Sequence, residues 1–293
     1  MDNDGFQTVS LKNKKRKNKY NNKHIPQQEI ISEKLFNKYN EVVTKSKIFN
    51  DIIKQIELNK IEFEGIRCLA LGSFFEEIQP LYQLALLREI ILWKSKTIDS
   101  QFVISLYDPA FTRDDIDFIN NELNNKNEKL TWKYETEQEW EANITSDELS
   151  DNEKTLYYIP HGDLHLLEYL FPLIKPKYYL GNYVFDQLLR VNENDQNMKY
   201  LVNVKRQCYK TGKISKNELN NDSDDFQQNV KKTKKRINNK FQKEKEIIEP
   251  VPLIKLYFKD IKVLTNSHTT IEQGPWLSAF SSLALHEFEK EEE

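Results

Sequence analysis

Two short runs decide the fold: Ile66-Arg67-Cys68-Leu69-Ala70-Leu71, closed by Gly72, and Phe102-Val103-Ile104-Ser105-Leu106-Tyr107, closed by Asp108-Pro109. Each is a nearly continuous apolar stretch, not an alternating one. This is the pattern of a strand buried on both faces, as in parallel sheets. Between them, Pro80 suits the first turn of a helix, and Leu81 to Lys94 is apolar almost all round. Such a helix is predicted to be enclosed rather than to lie on the surface.

The same alternation extends outward along the chain. Upstream, Ile30 to Leu58 carries apolar residues at helical spacing and predicts two helices broken near Lys45 to Asn50. Downstream, Thr112 is positioned to cap a helix over 113–123, with Asp114 and Asp115 at its positive end. Leu130 to Tyr134 reads as a strand, 135–153 as an acidic loop, and Thr155 to Ile159 as a strand ending at Pro160-His161-Gly162. Asp163 is an N-cap for the next helix, whose end Pro172 and Pro176 punctuate. Tyr178 to Leu180 is a strand ending at Gly181-Asn182, and a helix over 183–190 follows. Strand-like runs recur at 256–258 and 261–264, before an apolar, aromatic tail from Trp276 to Phe288. Strands alternating with helices predict an α/β, Rossmann-like, mostly parallel sheet with helices on both faces, preceded by N-terminal helices.

Composition bounds the rest. The chain has 293 residues, with 30% charged and 38% hydrophobic. Its mean hydropathy of −0.73 is too polar for one tight globule. Two regions account for the excess. Lys12 to Lys23 is a basic run without acidic residues, and Asn192 to Glu249 is rich in Asn, Lys, Asp and Gln, with Lys231, Lys232, Lys234, Lys235 and Arg236 in one block. The expected organisation is a disordered tail over 1–28, one α/β domain formed by 29–191 and 250–288, and a low-complexity insert over 192–249. The two basic blocks read equally as solvated charge or as nuclear-localisation signals. A net charge of −3 argues against nucleic acid as a partner, and salt-sensitive binding would be its signature. The absence of long apolar runs predicts no membrane span and no secretory leader. Two cysteines, Cys68 and Cys208, fit a reducing compartment, with Cys68 packed in the core.

Ligands of an open parallel sheet bind beyond the carboxyl ends of its strands. Gly72, Ser73, Asp108, His161 and Asn182 all fall at such ends and form one candidate cleft, with Asp163 close by. An acid ending the second strand can accept hydrogen bonds from two ribose hydroxyls. Asp108, however, follows Gly72 by 36 residues, where a dinucleotide motif expects about 20. Glu76 and Glu77 disfavour a polyphosphate there, but not S-adenosylmethionine, a sulfonium without phosphate. The structural alternative has Gly72 making a tight turn, Ser73 and Glu76 forming a capping box, and Asp108 satisfying turn amides. His161 and His165 straddle a helix start, have no third ligand in sight, and predict no metal site. His161 suits either a general acid–base or a structural hydrogen-bonding role. There is no P-loop, nucleophile elbow or paired-cysteine motif.

Four ordered blocks then resemble a known family: Leu69 to Phe74, Tyr82 to Leu87, Tyr107 to Thr112 and Tyr158 to Gly162. Together they resemble the Sensitivity-to-Red-Light-Reduced-like family. Asp4 to Val9 is similar to that family's start. Phe280 to Phe288 is similar to its closing block, with His286 and Phe288 matching but Ser281, Ser282 and Leu283 replacing Asn-Asp-Thr. The resemblance implies a eukaryotic regulatory protein of the cytoplasm, the nucleus or both, with a protein partner. It points to red-light signalling and the circadian clock in plants, clock-gene expression and haem biosynthesis in animals, and microtubule-related processes in yeast. Asn- and Lys-rich segments suit a fungal or protist member, which makes the microtubule link the nearest. The resemblance carries no catalytic role to any residue and names no cofactor. The second reading is a transferase binding S-adenosylmethionine or another nucleoside at Gly72 and Asp108.

Overall fold

The computed structural model describes residues 33–124, 127–145, 153–215, 250–267 and 274–290. The basic run over 12–23, the block over 231–236 and the similarity at 4–9 lie outside the described residues.

Seven strands form one sheet: β1 (Gly65–Leu69), β2 (Phe102–Tyr107), β3 (Leu130–Tyr134), β4 (Thr155–Ile159), β5 (Tyr178–Asn182), β6 (Asp260–Asn266) and β7 (Leu283–Glu289). Their order is β3-β2-β1-β4-β5-β7-β6. The first five are parallel neighbours, while β7 runs antiparallel to both β5 and β6. The sheet is therefore mostly parallel, as the apolar runs predict, with one reversed strand inserted. The order switches direction between β1 and β4, where the connections diverge to opposite sides.

Helices α1 (Glu33–Thr44), α2 (Lys47–Leu58), α3 (Ile78–Lys94) and α4 (Arg113–Phe118) share one apolar core with one face of the sheet. The break between α1 and α2 falls where predicted, because Ser46 caps α2 by accepting a hydrogen bond from the Phe49 amide. α3 is buried from Pro80 to Leu87 without a polar stripe, since the sheet lies on one side and α1 and α2 on the other. On the opposite face, α5 (Glu137–Thr145), α6 (Leu164–Ile174), α7 (Val184–Leu189) and α8 (Lys199–Lys210) enclose a second core. No helix among the described residues is long and apolar enough to cross a membrane.

Several expectations need correction. The acidic stretch 135–153 contains α5, which is held to the sheet by buried Trp140. Its ring stacks on Tyr107 at 5.6 Å, and the Arg67 guanidinium lies 4.7 Å from the ring centre. Pro172 lies inside α6 and does not end it. β1 stops at Leu69 and not at Leu71, because Ala70 turns left-handed. Residues 256–258 are not a strand. The 192–249 stretch, read as an insert, contains α8. That helix has no side-chain cap of its own; Glu168 on α6 accepts from its Tyr200 and Leu201 amides at 2.9 and 2.8 Å. It also buries Leu201, Val202, Val204 and Cys208 in the second core.

His286 joins β7 to the rest. It is fully enclosed, its Nε2 accepts from the Val184 amide at 3.2 Å, and its Nδ1 lies 3.3 Å from the Tyr179 carbonyl. A carbonyl can only accept, so the ring carries its proton on Nδ1 and is neutral. Burial lowers its pKa from 6.5 to about 4. The unfolded chain thus binds this proton before the folded one does. The stability that follows is complete above about pH 6.5 and falls by about 3 kcal/mol as pH drops towards 4. Urea titrations at pH 7.5 and 4.5 are expected to show that loss. His286→Gln is expected to be less stable at pH 7.5 and to show a smaller difference between the two pH values.

Candidate functional site

The rim at the carboxyl ends of the strands begins with a strained exit from β1. Ala70 has φ +50° and Gly72 has φ +81°. Left-handed backbone is costly for alanine and natural for glycine. A Cβ on Gly72 would also sit 3.1 Å from Pro80 Cγ. Hydrogen bonds hold this turn from two sides. The Ala70 carbonyl accepts from the His161 amide at 3.2 Å, tying the exits of β1 and β4 together. The Gly72 amide donates to Asp108 Oδ2 at 2.8 Å, tying β1 to β2. The other oxygen of Asp108 accepts from the Ala110 amide at 2.8 Å.

Four of the five predicted site residues therefore form one continuous rim. Gly72 meets Asp108, the chain next to Gly72 meets His161, and Asn182 donates from Nδ2 to the Gly162 carbonyl at 2.9 Å. The fifth, Ser73, points inward. Its hydroxyl donates to Asp115 Oδ2 at 2.7 Å and accepts from the Glu76 amide at 3.3 Å. The latter bond is one half of the expected capping box, but α3 begins two residues later, with Glu77 as its N-cap.

Asp115 is the residue that sequence reasoning valued too little. It is completely buried. Its Oδ1 accepts from the Phe74 and Phe75 amides at 3.1 and 3.0 Å, and its Oδ2 accepts from Ser73 and from both the amide and hydroxyl of Thr112. The Thr112–Asp115 capping box is visible in the sequence as T-x-x-D. The reach back to 73–75 is not.

His161 stands on the exposed side of the rim. Desolvation by the surrounding chain lowers its pKa, against the opposing pull of the Glu77 and Asp108 carboxylates. His165 lies inside α6, beyond the Asp163 cap, which accepts from the Leu166 amide at 2.8 Å. No group of three His, Cys, Asp or Glu side chains converges as metal ligands among the described residues. Below the rim, on the face covered by α5, Arg67 pairs with Glu135 at 2.9 Å, and Asn143 donates to the other Glu135 oxygen at 2.8 Å. A single arginine in an apolar strand is the sequence signal for this buried pair.

The four blocks quoted above thus become the β1 exit, the enclosed face of α3, the β2 exit and the β4 exit, and the closing block becomes β7. A family model described as the SRR1 domain matches residues 31–287. The chain belongs to the SRR1 family. No curated protein and no solved structure matches it. Within this SRR1 domain, the family resemblance and the rim coincide: three of the four blocks are the loops that meet there.

Asp115→Ala leaves the Phe74, Phe75 and Thr112 amides and the Ser73 and Thr112 hydroxyls without this acceptor. It is expected to cost about 3 kcal/mol or more, measured by urea unfolding. Asp115→Asn keeps the shape and one acceptor oxygen and is expected to cost less. Equal stability of Asp115→Ala and the parent chain would contradict the role given to this carboxylate.

Proposed function

We infer that this SRR1-family chain is a regulatory protein that works through a protein partner and not by turning over a substrate. In a fungal-type cell its process is microtubule-related, with circadian regulation and haem biosynthesis as the counterparts in other lineages, and its place is the cytoplasm, the nucleus or both. One observation supports a binding role over catalysis. Asp108, the acid in the position suited to ribose, has both oxygens engaged by the Gly72 and Ala110 amides. Ser73 and Asn182 likewise direct their polar groups at the protein itself. The rim is a set of mutual ties, which favours a rigid surface.

The second reading, a transferase holding S-adenosylmethionine or a related nucleoside between Gly72 and Asp108, draws support from position. The rim lies at the switch in strand order, where α/β sheets take their ligands. His161 adds a solvent-exposed imidazole at this rim, with a pKa lowered by desolvation. The two readings separate in a thermal-shift series with S-adenosylmethionine, S-adenosylhomocysteine and adenosine. A ligand present at 100 times its Kd stabilises by about 2.7 kcal/mol, a shift of several degrees. The regulatory reading expects no shift at millimolar ligand. A clear shift that Asp108→Asn abolishes, with the variant still folded, would replace it with the transferase.

A further inference from the structure

Away from the rim, a groove of about 610 Å³ runs between α8 and the returning segment 251–258. Residues 250–256 contain no turn or bend. Asn203 on α8 reads this segment as a neighbouring strand would: its Nδ2 donates to the Pro252 carbonyl at 2.9 Å, and its Oδ1 accepts from the Ile254 amide at 3.2 Å. The main-chain groups of Leu253 and Lys255, which line the same groove, make no hydrogen bond among the described residues. The same stretch is apolar and uncovered: Leu253 is 82% exposed and Ile254 38%.

Charge at this groove is one-sided. Arg206, Lys210 and Lys255 line it, against Glu193 alone. Arg206 donates from Nη1 to the Val251 carbonyl and so helps to hold the segment in place. Lys210 and Lys255 form no ion pair among the described residues. Free main-chain groups along a groove can pair with the backbone of an added peptide, and flanking cations select an acidic one.

We propose that this groove is the docking site of an extended acidic peptide segment of a partner protein, which pairs with the main chain of Leu253 and Lys255 and sets its carboxylates against Lys210 and Lys255. The proposal gives the regulatory reading a partner class and rests on that reading. The two are tested separately, because the nucleoside series addresses the rim and the peptide addresses the groove.

The probe is a fluorescein-labelled eight-residue peptide alternating glutamate and valine, titrated against the full chain by anisotropy, with the lysine–valine counterpart as control. The expected result is micromolar, salt-weakened binding of the acidic peptide alone. The Lys210→Glu/Lys255→Glu pair is expected to reduce affinity at least 10-fold. Leu253→Pro, which removes the Leu253 amide, is expected to weaken binding more than Leu253→Ala, which removes only the apolar side chain; an unchanged thermal midpoint confirms that each variant is folded. Equal binding of both peptides, or charge reversal without effect, would overturn the proposal. Zero-length carboxyl–amine coupling identifies the occupant. Links from Lys210 or Lys255 to the added peptide support the proposal. Links to residues 216–249 of the same chain, or to a second copy, would assign the groove elsewhere and overturn it.

Discussion

The loop that leaves β1 holds the structure's organisation, and two aspartates hold the loop. A strand that ends in two left-handed residues within three positions has no regular pattern with which to satisfy its amides, and water does not reach most of this turn. Asp108 takes the Gly72 amide, and Asp115 takes Phe74 and Phe75. Hydrogen bonds to an ionised acceptor are about twice as strong as neutral ones, and a buried amide left alone costs about 1–3 kcal/mol. The two carboxylates also come from opposite ends of the β2–α4 connection. By gripping the β1 loop, they fix where α3 begins, how β2 is set beside β1, and where Phe74 enters the cluster formed with Phe75, Phe111 and Phe118. Polar satisfaction and aromatic packing are here one arrangement.

That arrangement explains why α3 carries so few polar residues. A helix that follows such a loop is directed across the sheet with α1 and α2 packed on its back, so every side must be apolar. Its one fully buried polar side chain, Gln83, donates to the Ala279 carbonyl, and Tyr158 on β4 donates to the Gln83 carbonyl. The chain segment before β7 is in this way fastened to α3 and not only to its neighbour strands.

The parallel core was legible because fully buried strands leave unbroken apolar runs, and the loops of the candidate rim were legible because each such run ends in a glycine, an acid or a proline. What stayed hidden was whatever depends on a distant partner. α5 offers the sequence only Trp140 and Ile144 as large apolar residues in an acidic stretch, too short a pattern to mark a helix. α8 sits in an Asn- and Lys-rich stretch and takes its cap from Glu168, some thirty residues upstream. Asp115 looks like a local cap because T-x-x-D describes only its near contacts. Strand direction is not written in composition at all: β7 carries apolar residues as the parallel strands do, yet it runs antiparallel to both of its neighbours.

The reversal of β7 has a physical consequence for the sheet. A strand that pairs antiparallel with β5 and β6 needs no crossover helix, so no β-α-β unit is required to set its register. Side chains can set it. His286 does this by bonding to the Tyr179 carbonyl of its partner strand and to the Val184 amide at the start of α7, while its ring lies against Tyr179 and Tyr183. A slip of one residue would turn His286 and Phe288 to the other face and exchange Ala284 for Leu285 against β5. A neutral imidazole, with its donor and its acceptor on separate ring nitrogens, satisfies both an amide and a carbonyl in a fully dry position without carrying charge. The matching His286 in the closing block is thus accounted for by strand register, and no ligand is required to explain it.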